Sequence, residues 1–139
     1  MKMEYTKNDK YIAYFEILGA ILIISFWIGW FLGLLKSFSQ GDPLYETYMA
    51  FESSFPIADF WIVILLIISA YGILKDKSYG SYFAASAGGA LIFLGLIDIA
   101  FNLQQGVYQH DIVAVFINLI AIIGGGLFLG WFSRYHLKG

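Results

Sequence analysis

Four long apolar runs limit what this chain can become. They cover residues 11–35, 57–74, 81–103 and 112–132. Each holds roughly 18 to 25 residues, and a helix of that length, rising about 1.5 Å per residue, crosses a hydrocarbon core of about 30 Å. Charge is scarce as well: 60% of the 139 residues are hydrophobic and 13% charged, too few charges to cover a soluble domain of this size. The sequence predicts an all-α integral membrane protein, one domain over residues 1–139, with four transmembrane helices. The first run is too long for a signal peptide and no small-residue cleavage site follows it, so it is expected to remain.

The basic residues orient the chain. Lys2, Lys7 and Lys10 precede the first span, Lys75 and Lys77 join the second to the third, and Arg134 and Lys138 follow the fourth. Only Lys36 falls on the opposite side. By the positive-inside rule both termini are expected in the cytoplasm. The short connections over 76–80 and 105–111, the latter with Gly106 as a helix end, make neighbouring spans antiparallel. An up-down-up-down bundle in a lipid bilayer follows.

Several chemistries drop out. There is no cysteine, which removes thiol–disulfide exchange, iron–sulfur clusters and thiolate metal sites, and with them the four-helix quinone- and vitamin-K-linked thiol oxidoreductases. His110 and His136 lie in a turn and at the C-terminus, so a haem held by two histidines inside the bundle is not expected. No HExxH, GxSxG, Walker or zinc-ligand pattern occurs, and the sequence implies no metal or cofactor. A net charge of −2 gives no reason to expect nucleic acid as a partner.

The connection over 36–55 is too long for a turn. Asp42 followed by Pro43 reads as an N-cap and a first helical residue, and Leu44, Tyr48, Phe51 and Phe55 then recur on one face. A short amphipathic helix over 42–55 is expected on the outer surface, as a plain anchor or as a lid.

Stepping along each span by three or four residues collects the polar groups into stripes. Span one carries Glu16, Ala20, Ile23, Trp27, Trp30 and Leu34; span two carries Glu52, Pro56, Asp59, Val63 and Leu66. Span three carries Ala84, Gly88, Leu91, Gly95, Asp98 and Asn102, and span four Asp111, Ala114, Asn118, Ala121 and Gly125. Small and polar residues avoid lipid, so these faces are expected to point inward. Glu52 shares a face with Asp59 if the second helix begins before Pro56; otherwise it belongs to the outer loop. Asp98 and Asn118 each lie roughly 8–9 Å below the outer ends of their spans.

Asp98, Asn118, Asp59, Asn102 and Glu52, with Trp27 and Trp30, are therefore the candidate ligand-binding residues of an acidic, aromatic-lined pocket in the outer half. Glu16, in the inner half, is the candidate proton or cation relay, with Lys10 or Lys75 within snorkelling reach. No Lys or Arg lies within the spans to neutralise Glu16, Asp59 or Asp98. These acids are either protonated or meet a cation from outside, and tryptophan beside carboxylate suits an organic ammonium. The leading expectation is binding, and transport, of a small cationic or amphipathic molecule. Four short spans leave little room for two gates, so a transporter is expected to act as a homodimer or larger assembly.

Each feature also has a plainer reading. Asp59 fits a hydrated acid at a helix N-terminus, Asp98 a hydrogen-bonded clamp to Asn118, and the tryptophans an interfacial belt. Gly29-x-x-x-Gly33 and Gly126-x-x-x-Gly130 serve either the fold or a dimer. An accessory subunit without a ligand is thus one alternative. A membrane-embedded acid/base enzyme acting on a lipid or sterol-like substrate is another. The acidic residue and proline opening span two resemble, in arrangement, the four-span sterol isomerase and sigma-2 receptor group, which implies acids working within such a cavity.

Overall fold

The computed structural model describes residues 3–35 and 38–137. Lys2, Lys36 and Lys138, three of the residues behind the orientation, lie outside these. Among the described residues five α-helices follow one another: α1 (Lys7–Phe31), α2 (Tyr45–Glu52), α3 (Pro56–Leu74), α4 (Tyr79–Gln105) and α5 (Ile112–Leu137), with a 3-10 turn at Val107–Gln109 before the last. No strand occurs among the described residues. The four long helices are each long and apolar enough to cross a membrane. Large apolar side chains cover their outer faces, with Ile57 86% and Ile120 70% exposed, which only lipid or protein can cover favourably.

Local chemistry fixes the helix ends. The Thr6 hydroxyl accepts from the Asp9 amide at 3.3 Å, and the Asp9 carboxylate accepts from the Thr6 amide at 2.6 Å. This reciprocal cap starts α1 at Lys7, four residues earlier than the apolar run implied. Leu32 and Gly33 then turn the chain out of the helix, Gly33 in the left-handed region at φ 74°. That φ suits glycine, and Gly33 lies just past the end of α1. α3 begins at Pro56, where the missing amide of proline is harmless. Gly106, at φ 68°, stops α4.

The helix between spans one and two differs from expectation. It begins at Tyr45 behind Leu44, not at Pro43. Asp42 instead closes the preceding turn: its carboxylate accepts from the Ser39 amide at 2.7 Å and its carbonyl from the Tyr45 amide at 3.0 Å. The short side chain bonds its local loop before it can reach a helix. Tyr48 is buried, and Phe51 stacks on Phe101 of α4 at 3.7 Å, so this helix docks on the end of the bundle.

α1 packs on α3, α3 on α4, and α4 on α5. Glycine sets the closest approaches. A Cβ on Gly88 would stand 2.5 Å from the Gly125 carbonyl oxygen, and one on Gly72 would stand 2.7 Å from the Gly80 Cα. A Cβ on Gly124, Gly126 or Gly130 would meet no neighbouring element within 4 Å among the described residues, so these glycines set no close approach there.

Three apolar clusters stack along the bundle. Tyr5, Ala13, Ala70, Ile73, Ala84 and Phe132 fill the end that holds both termini. Ala20, Ile62, Val63, Leu65, Leu66 and Ala87 fill the middle. Phe38, Tyr48 and Val107 fill the α2 end. Polar residues lie between the clusters, one layer at each junction.

Candidate functional site

The layer nearer α2 collects side chains from every long helix. Trp27 of α1 and Asp59 of α3 lie one turn beyond the middle cluster, and the Trp27 indole N–H donates to the Asp59 carboxylate at 2.8 Å. Asp98 of α4 hydrogen-bonds the Asn118 side chain of α5. The Asn118 amide in turn donates to the Tyr108 hydroxyl at 2.6 Å. Trp27 and Asn118 are each only 2% exposed. Asn102 is buried one turn further toward α2, and its carbonyl accepts from the Gly106 amide.

Glu52 ends α2 and does not extend the α3 face, since α3 begins four residues later. The fold between the two helices nevertheless brings its carboxylate within electrostatic reach of Asp98, Asp59 and Asp111. Asp98 likewise feels Asp59. The ion pairs among the described residues, Lys10–Asp76 and Arg134–Asp9, involve none of Glu52, Asp59 and Asp98. Among the described residues no group of three or more Asp, Glu or His side chains is placed to hold one metal ion. The carboxylates are close enough to repel one another and too spread to chelate.

Aromatic rings line the α1 side. Trp27 and Trp30 meet edge to face with centroids 5.4 Å apart, and Phe31 lies 5.4 Å from Trp30. Trp30 is 8% exposed and its indole N–H has no partner. A buried donor left unpaired among the described residues is unusual in a finished core. A surface cleft of about 590 Å³ opens at this end, lined by Gly33, Leu34, Phe38, Ser39, Gln40 and Tyr45 and by none of the carboxylates. The four candidate carboxylate and amide residues Glu52, Asp59, Asp98 and Asn118 thus come together, with Trp27 bonded to them and Trp30 beside Trp27.

Glu16 stands apart, between the middle cluster and the terminal one. It does not snorkel toward Lys10, which pairs with Asp76 at 3.1 Å. Instead it is wholly buried, and its Oε1 lies 2.8 Å from the Ser69 hydroxyl of α3. At helical rise the ten residues from Asp59 to Ser69 separate the two polar layers by about 15 Å.

A third polar group was not foreseen. Asp9 is wholly buried and accepts from the Trp131 indole at 2.7 Å, the Arg134 guanidinium at 2.7 Å and the Tyr135 hydroxyl at 2.5 Å. It ties α1 to α5 where the termini meet. Beside it, the Ser81 hydroxyl lies 3.0 Å from His136 Nε2, and the Tyr5 hydroxyl accepts from the Ser81 amide at 2.8 Å. The Thr6-x-x-Asp9 pattern and the Trp131–Arg134–Tyr135 grouping are the sequence signals that could have found it. No known family, no curated protein and no solved structure matches the chain. The likeness to the sterol isomerase group therefore rests on the arrangement of one motif.

Proposed function

We propose that the protein binds, and transports, a small organic or amphipathic cation at the layer formed by Glu52, Asp59, Asp98 and Asn118. One observation carries this reading. Three carboxylates from three different helices stand within electrostatic reach of one another with no described basic partner. A single such group at membrane depth costs about 2.5–3.5 kcal/mol to insert, and mutual repulsion adds to it. Protons or an arriving cation relieve that cost. Carboxylates spaced too widely for one metal ion fit a broader charge, and Trp27 and Trp30 supply ring faces for cation–π attraction. By the positive-inside expectation this layer faces the outside, so the cation would enter from the outer leaflet.

Native mass spectrometry in a mild detergent, with tetraphenylphosphonium added to wild type and Asp98→Asn, tests the reading. A one-to-one adduct on the wild type, lost in a variant that keeps the wild-type helical content, supports it. Equal adducts on both proteins, or none on either, would overturn it. The clamp reading makes the opposite forecast: Asp98→Asn, able still to bond Asn118, would leave any adduct untouched.

A further inference from the structure

We propose that Glu16 is a proton-binding site, loaded with a proton in the closed bundle, and that this proton leaves when a cation binds. The proposal rests on the reading above for the cation and on Glu16's own geometry for the proton. Ser69 has one hydroxyl proton, yet its Oγ lies 2.8 Å from Glu16 Oε1 and 3.1 Å from the Gly80 carbonyl oxygen. Two acceptors cannot share one donor well. A proton on Glu16 Oε1 resolves this: Glu16 donates to Ser69, and Ser69 donates to Gly80. Glu16 Oε2 is buried with no partner, which suits the carbonyl of a neutral acid and would leave half of a carboxylate charge unsolvated.

Nothing nearby replaces the proton. From α3 and α4, the polar groups that meet Glu16 are the Ser69 hydroxyl and, through it, the Gly80 carbonyl. The described ion pairs at that end, Asp9 with Arg134 and Lys10 with Asp76, do not include Glu16, and none of Lys7, Lys75 and Lys77 forms one with it. Above and below, apolar clusters close the site. Ala13, Ala70 and Ala84 belong to the cluster on the terminal side, and Ala20 and Ala87 to the cluster toward the acidic layer. The same clusters also hold Ile73 and Phe132 on one side and Ile62, Leu65 and Leu66 on the other, so the site is sealed in the closed bundle. Charge balances in the exchange: one proton leaves Glu16 as its carboxylate forms, and one monovalent cation enters the bundle at the acidic layer.

Two readouts separate the claims. Infrared difference spectra of wild type and Glu16→Gln report the proton itself. A protonated-carboxyl C=O band present at neutral pH, absent in Glu16→Gln and shifted in Ser69→Ala is the expected result. Absence of any band lost in Glu16→Gln overturns the proton site, whatever the acidic layer binds. Proton release is then followed with a pH dye in weakly buffered detergent as tetraphenylphosphonium is added. Glu16→Gln is expected to keep binding the cation and to release about one proton fewer per cation bound. Equal release from both proteins overturns the coupling. If tetraphenylphosphonium fails to bind the wild type, the cation reading and the coupling both fall, while the infrared band still decides the proton site.

Discussion

Asp9 offers the sharpest test of the fold, because its partners are spread so widely along the sequence. Asp9→Ala removes one carboxylate and strands four groups. The Trp131 and Tyr135 donors each lose a bond to a charged acceptor, worth about 1.5–3 kcal/mol. Loss of the reciprocal cap with Thr6 adds about 1 kcal/mol. The Arg134 ion pair adds little, about 0–1 kcal/mol, since its side chain is 38% exposed and regains water. The two aromatic residues are themselves half-buried, and partial rehydration brings the expected total to about 3–5 kcal/mol. Unfolding in mixed micelles of rising SDS fraction, followed by circular dichroism, measures it. In the Asp9→Ala background, Trp131→Phe should lose little more. A destabilisation under about 1 kcal/mol for Asp9→Ala would refute the role given to this residue.

Other outcomes follow from packing and protonation. Gly88→Ala places a Cβ 2.5 Å from the Gly125 carbonyl and 2.6 Å from the Leu129 amide, both backbone, and should cost about 1–3 kcal/mol in the same titration. Gly126→Ala meets no neighbouring element among the described residues and should stay within about 0.5 kcal/mol of wild type. Phe51→Ala removes the stack on Phe101, a pair worth about 0.5–1.5 kcal/mol, and should speed amide exchange across α2 without altering α3. Burial pushes the Tyr5 phenol above its ordinary value of 10.0. The folded state thus holds that proton more tightly, so its stabilising effect is whole below pH 10 and falls as pH rises past it. Tyr5→Phe, which lacks the bond to the Lys77 carbonyl, should remove that alkaline loss in a pH series of thermal melts.

The four spans were legible because twenty-odd apolar residues in a row leave few alternatives. Their inward faces were legible for the same reason that Gly88 and Gly125 meet: small and polar residues are poorly placed against lipid. Helix ends were less so. Asp42-Pro43 has the chemistry of a helix start, yet the Asp42 carboxylate is taken by Ser39, a competition between local bonds that composition does not reveal. Asp9 was not singled out, because its partners lie on α5, at the far end of the sequence. Ser69 escaped notice for a related reason. A serine in an apolar helix is common, and only the register of α3 against α1 sets it beside Glu16. For Asp9 and Ser69 the missing information was the rotation and offset of one helix against another.

Equilibrium dialysis of radiolabelled tetraphenylphosphonium against purified wild type and an Asp59→Asn, Asp98→Asn double variant tests the central claim most directly. Asparagine keeps the size of both side chains and leaves Trp27 and Asn118 a hydrogen-bond acceptor, so the bundle should persist while the charge goes. Saturable binding to the wild type, weakened at least tenfold, or about 1.4 kcal/mol, in the double variant is the predicted result. Binding that is equal in the two proteins, or absent from the wild type, would contradict it.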